Sequence, residues 1–152
     1  MKDAISAKRL EQLHPKAKGI FKAFIEECED TFGITLRISQ GLRTIAGQDA
    51  LYAQGRTSSG HIVTNAKGGS SFHNYGLAVD LVEMDHNGAE ANWKYDMATL
   101  VPIAKKHGEQ WGGDWIHIKD YPHFQLSFGY TWQQLFEKYQ NKDVDKSGYV
   151  NL

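Results

Sequence analysis

The chain has 152 residues, enough to bury one sizeable core and too few for two ordinary domains. Hydrophobic residues at 41% and charged residues at 23% are close to a globular average, which argues against disorder, collagen and coiled coil. Lys plus Arg number 17 against 18 Asp plus Glu, so the basic surplus needed to grip phosphates is missing and no nucleic-acid partner is expected.

The first segments read as helical. A short helix is predicted over 3–13 and a better-defined one over 15–31. In the second, Ile20, Phe21, Phe24, Ile25 and Cys28 recur at three- and four-residue spacing, Pro15 suits the first turn and Gly33 the stop. Cys28, the one cysteine, reads as a small core residue and excludes an internal disulfide framework. Ile34 to Ser39 alternates apolar and polar like a half-buried strand. Continued to Arg43, it puts Arg37, Ser39, Gly41 and Arg43 opposite Ile34, Leu36 and Ile38. Thr44 caps a following helix through about Gln54 that carries Ile45, Gln48, Leu51 and Tyr52.

Residues 55–71 are rich in Gly, Ser and Thr and have no apolar period; so long a loop in a small domain is often functional. Leu77 to Val82 is the most strand-like segment, and Asp85 to Gly88 reads as a turn. A helix is predicted over 91–107, with Lys105, Lys106 and His107 in its last turn and Gly108 after it. Residues 109–116 read as irregular. His123 to Leu126 resumes an alternating strand, and Thr131 to Tyr139 reads as a final helix with Trp132, Leu135 and Phe136 inward. These few, short elements predict an α+β fold with helices packed on a small antiparallel sheet.

Chemistry concentrates in two places. In Ser71-Phe72-His73-Asn74-Tyr75-Gly76-Leu77-Ala78-Val79-Asp80, the carboxylate of Asp80 falls among apolar strand neighbours. Burial there costs several kcal/mol unless the group is paired or holds a metal, and no Lys or Arg lies nearby in sequence. His73 can fold back across the turn at Gly76. His123 opens another strand, with Gln125 on its face and Phe124 and Leu126 on the other. If the two strands are neighbours, His73, Asp80 and His123 converge on one cation, and two imidazoles plus a carboxylate leave an open position for water. Asp120 precedes His123 by three residues across Tyr121-Pro122 and is placed to act as a base without being a ligand. The alternative is a paired strand carboxylate and ordinary core histidines. His14, His61, His86, His107 and His117 have adequate structural readings as helix start, loop, turn, helix end and exposed strand-like position.

The two motifs, in this order, resemble the zinc peptidases of the D-alanyl-D-alanine carboxypeptidase group, and within it the phage and bacterial L-alanyl-D-glutamate endopeptidases that cut peptidoglycan stem peptides. The likeness extends through Gly41-Leu42-Arg43-Thr44, Gln48-Asp49-Ala50-Leu51-Tyr52, Gly55-Arg56-Thr57, Ile62 to Ala66 and Trp111-Gly112-Gly113-Asp114-Trp115, covering roughly residues 10–140. It implies one zinc ion on His73, Asp80 and His123, with Asp120 as base where related carboxypeptidases use glutamate. Arg43 then steadies the negative oxygen of the tetrahedral intermediate, a task suited to a fixed guanidinium. Gln48 and Ser71 look like substrate-pocket residues, and Asp114 like a residue that orders the site or hydrogen-bonds a ligand histidine. The implied fold is that of small Hedgehog-like or DD-peptidase-like zinc peptidases. The implied reaction is hydrolysis of the L-Ala–D-Glu bond; D-alanyl-D-alanine carboxypeptidase or dipeptidase action, or a non-catalytic wall-binding module, are the rivals.

Outside the likeness, Asp143 to Asn151 copies the first nine positions of an EF-hand calcium loop but lacks the twelfth-position glutamate. Calcium is expected to bind weakly at best, and residues 141–152 read as a flexible polar tail after a peptidase domain over 1–140. The N-terminal stretch lacks the apolar segment of a secretory signal, and no run of residues spans a bilayer. A monomer that is made in the cytoplasm and reaches the wall after release is expected, or equally a chain whose signal has been removed.

Overall fold

The computed structural model describes all residues 1–152. Helix α1 spans Ala4–Leu10 and starts where the Asp3 carboxylate accepts the Ser6 backbone N–H at 2.8 Å. Helix α2, Lys18–Phe32, buries Phe21, Phe24, Ile25 and Cys28 on one face and stops at Gly33 in the left-handed region, φ 67°. It starts three residues later than its apolar period suggests, because 15–17 form a separate turn. Strand β1, Thr35–Gln40, buries Leu36 and Ile38. It does not continue to Arg43: its register against the next strand slips between Ile38 and Gln40, and residues 41–44 leave the sheet. Arg37, on its outer face, pairs with Asp3 at 2.7 Å. Helix α3, Ile45–Ala53, is capped by Thr44 as expected.

Residues 55–71 contain no helix or strand and end in a 3₁₀ turn, Phe72–Tyr75. Strand β2, Ala78–Met84, is the centre of the sheet. The helix predicted from residue 91 is replaced by a short strand β3, Ala91–Asn92, that folds back on β2, then a 3₁₀ turn at Met97–Leu100 and helix α4, Val101–Lys106. The side chains of Asn92 and Asp96 cause the break, accepting the backbone N–H groups of Lys94 (3.2 Å) and Ala98 (3.0 Å) and so competing with a helical ladder. The segment read as irregular contributes strand β4, Gln110–Trp111, and strand β5 is His123–Gln125. Helix α5, Trp132–Gln140, ends the regular structure. It buries Leu135, but Trp132 lines an open cleft rather than packing into the core.

All pairings are antiparallel, in the order β1-β2-β5-β4 with β3 against the end of β2. This is the expected α+β architecture. One apolar core runs between the sheet and α2, joining Phe21, Phe24 and Ile25 to Leu36, Ile38, Val79, Leu81 and Phe124. No helix is long and apolar enough to cross a membrane.

Residues 141–152 are polar, yet they fold back onto the domain instead of trailing from it. Val144 bridges to Val150, which is buried, and the Val150 carbonyl accepts a hydrogen bond from buried His14 at 2.8 Å. Asp145 closes the turn by accepting from Ser147 and Tyr149, while Asp143 accepts from Asn151 and Lys138. The carboxylates that suggested half a calcium loop are thus engaged with protein donors. His14, read as a helix start, is the anchor of this segment.

Candidate metal centre

Each of the three predicted ligands is held by a different local device. His73 lies in the 3₁₀ turn that Ser71 and Asn74 cap reciprocally, with the His73 backbone N–H on the Ser71 hydroxyl. Gly76 ends the turn at φ 68°, where a Cβ would come within 2.6 Å of the His14 backbone nitrogen, so only glycine lets the chain turn back into β2. Asp80 sits mid-strand on β2, and its direct cross-strand partner on β5 is His123. Antiparallel register therefore sets two ligands side by side, and the capped turn supplies the third.

The facing atoms form a nearly equilateral triangle. His73 Nε2 is 3.2 Å from Asp80 Oδ1, His123 Nδ1 is 3.3 Å from the same oxygen, and the two ring nitrogens are 3.2 Å apart. Four ligands arranged tetrahedrally with bonds of about 2.0–2.1 Å stand about 3.3 Å from one another, so the triangle has the size of a zinc site with one corner left over. The outer ring nitrogens are occupied as well: His73 Nδ1 lies 2.8 Å from the Gly41 carbonyl and His123 Nε2 lies 2.8 Å from Gln125 Oε1. Each imidazole can thereby donate outward and keep its inward nitrogen free for a cation. Burial alone would push the Asp80 carboxyl up, but hydrogen bonds from His123 and His73 hold it well below the usual carboxylate range. Burial lowers His123, but the Asp80 carboxylate, together with Gln125 and Asp120, more than reverses this and raises its pKa.

Asp120 stands beside the triangle, its Oδ2 4.0 Å from His123 Nδ1. Its proton affinity is raised by burial and by the Asp80 charge, against the opposing pull of His123, His73 and Arg43. The main chain fixes its place: the Asp120 N–H donates to the Gly112 carbonyl at 3.0 Å, and a side chain on Gly112 would run into the Asp120 carbonyl. Arg43 reaches the cleft from the 41–44 segment, so strand parity does not account for its direction. Its Nη1 donates to Gln48 Oε1 at 2.9 Å, while its Nε is buried without a partner.

Gln48 and Asp114 behave differently from expectation. Gln48 is fully buried behind Arg43, and its Nε2 donates to the Ala66 carbonyl at 2.9 Å. With both ends of its amide engaged it braces Arg43 against the 55–71 loop and does not face the cleft. Asp114 pairs with Lys105 on α4 at 3.3 Å, and the outer ring nitrogens of His73 and His123 meet Gly41 and Gln125 instead. Ser71 lines the cleft while capping the His73 turn. Sequence reasoning placed Gln125 on the face of His123 but assigned it no part.

Two loops wall the cleft. The 55–71 loop is strapped down by Arg56, which stacks on Tyr52 at 3.9 Å and donates to the Tyr52 and Thr64 carbonyls and to Asn65. Facing it, the 112–121 segment brings Trp115 to 4.9 Å from the His123 ring. Ile62, Val63, Ile116 and Ile118 stand exposed along the two walls.

Comparison with known proteins agrees with this geometry. The family described as D-alanyl-D-alanine carboxypeptidase matches residues 64–126, the stretch that carries all three triangle residues and Asp120. The peptidoglycan L-alanyl-D-glutamate endopeptidase CwlK of Bacillus subtilis (strain 168) is 43% identical over 124 residues, covering 75% of this chain and 73% of that protein. The crystal structure of the Serratia marcescens L-Ala D-Glu endopeptidase ChiX superposes with a TM-score of 0.54 at 27% identity, over 82% of this chain and 88% of that one. By kinship, fold and the side chains at its centre, the chain belongs to the D-alanyl-D-alanine carboxypeptidase family of metallopeptidases.

Proposed function

We propose that the protein is a zinc-dependent peptidase that hydrolyses the L-alanyl–D-glutamate bond of peptidoglycan stem peptides. One observation carries the reading: a ligand triangle of tetrahedral size with an uncoordinated carboxylate, Asp120, at its edge. The names of CwlK and ChiX support the choice of bond. Zinc held by His73, Asp80 and His123 supplies Lewis acidity, which acidifies water and polarises a carbonyl.

The rest of the chemistry belongs to the chain. Asp120, with its raised proton affinity, takes the proton of the attacking water and returns it to the leaving nitrogen. The Arg43 guanidinium, braced by Gln48, faces the negative charge that develops on the carbonyl oxygen. The 55–71 and 112–121 walls hold the peptide across these groups.

Mass spectrometry of sacculi digested by the purified protein, with and without chelator, tests the reading. New L-alanine carboxyl ends and D-glutamate amino ends, abolished by chelator and restored by zinc, are expected. Release of free D-alanine would establish carboxypeptidase action instead, and intact sacculi would point to a non-catalytic binding module.

A further inference from the structure

The geometry points to a positioning role for a pair of glutamines, Gln125 and Gln110, that form a polarity relay selecting the tautomer of His123 able to hold a metal. The inference rests on the metal-site reading above and assigns a part to two residues outside the ligand set.

His123 offers Nδ1 to the triangle, whereas His73 offers Nε2. A neutral imidazole carries one N–H and one lone pair, so His123 must keep its proton on Nε2 to leave Nδ1 free. The atom facing Nε2 at 2.8 Å must then be an acceptor, and it is Gln125 Oε1. The corresponding acceptor for His73 is the Gly41 carbonyl, which cannot reverse its polarity. A glutamine amide can: turned over, it would present N–H to Nε2, draw the lone pair there, and leave the proton on the nitrogen that the metal needs.

A second glutamine weighs against this reversal. Gln110 lies directly across from Gln125 in the β4–β5 pairing, and its Oε1 accepts from Gln125 Nε2 at 3.0 Å. Gln125 is buried, at 8% exposure, while Gln110 is exposed. An acceptor at 110 therefore favours the orientation of Gln125 that serves the metal, and a donor there favours the reverse.

Zinc affinity, measured by competition with a chromophoric chelator on folded protein, reads this directly. Replacing Gln125 by Met removes the acceptor and is expected to weaken zinc binding about 10- to 100-fold. Because Gln110 is exposed, its variants leave the fold intact and separate relay from packing: Gln110→Glu keeps an acceptor and is expected to hold zinc like the parent, whereas Gln110→Lys offers only donors and is expected to lose affinity. The difference should persist in 0.5 M salt, where the field of an exposed charge is largely screened. In the zinc-loaded parent, ¹⁵N spectra should show the His123 proton on Nε2. Equal affinity in the Glu, Lys and Met variants, with a parent that binds one zinc, overturns the relay and leaves the metal site standing. A parent that binds no zinc overturns the underlying reading as well.

Discussion

His73, Asp80 and His123 stand on paired strands and a doubly capped turn, whereas Thr64, Asn65 and Trp115 stand on segments with no ladder of their own. On the floor, main-chain register fixes the spacing of the ligands and the outer ring nitrogens are tied to a carbonyl and an amide. On the 55–71 wall, position depends on side chains that reach loop atoms: Arg56 to Thr64 and Asn65, Gln48 to Ala66, Asp49 to Gly68. A site gains precision from rigid elements and adaptability from loops. The contrast suggests that the floor governs whether chemistry occurs and the walls govern what is held there.

The largest effect tests the floor. His123→Ala should lose stoichiometric zinc by elemental analysis and all sacculus cleavage together. Asp120→Ala should separate the two properties, retaining zinc while the cleavage rate falls by about 10²–10⁴; unchanged cleavage would remove Asp120 from the mechanism. Gln48→Met severs the link between floor and wall, leaving the Arg43 guanidinium and the Ala66 carbonyl unpaired. A kcat/KM loss approaching about 10²-fold is expected for a displaced charge, and it should vanish in an Arg43→Ala background if Gln48 acts through Arg43. On the wall itself, Arg56→Ala should raise KM about two- to five-fold with kcat nearly unchanged, given the modest worth of exposed stacking and polar contacts.

The smallest effect on activity is expected at Glu109, away from the cleft, whose two carboxylate oxygens are buried without a partner. Burial pushes this carboxyl up to about 9, so the folded protein holds a proton there that the unfolded chain releases at ordinary carboxylate pH. The stability contributed by that proton is complete in acid and declines as pH rises from the unfolded value through about 9. Melting temperatures of the parent should fall across this window, and Glu109→Gln should flatten the curve without altering cleavage.

Much of the floor was legible because strand parity and motif order are local signals. Leu77 to Val82 reads as a strand on its own, and the spacing of His73, Asp80, Asp120 and His123 is written in the chain itself. The walls were opaque for a physical reason: Arg56 and Gln48 bind main-chain carbonyls, which every residue possesses and no side-chain pattern marks. The misread helix from residue 91 failed on similar ground, since Asn92 and Asp96 redirect the backbone through hydrogen bonds two residues long. The tie between His14 and Val150 spans 136 positions and uses another anonymous carbonyl.

The bare main chain at Gly112 bears on the choice of aspartate at position 120. Its missing side chain lets residues 112 and 120 nestle together, with the Asp120 amide on the Gly112 oxygen at 3.0 Å. Aspartate is one methylene shorter than glutamate, and the close seating carries the carboxyl inward by way of the backbone rather than by way of a longer arm. In the proposed mechanism, fewer rotatable bonds would then separate the proton acceptor from the ion, which leaves less freedom to freeze at each turnover.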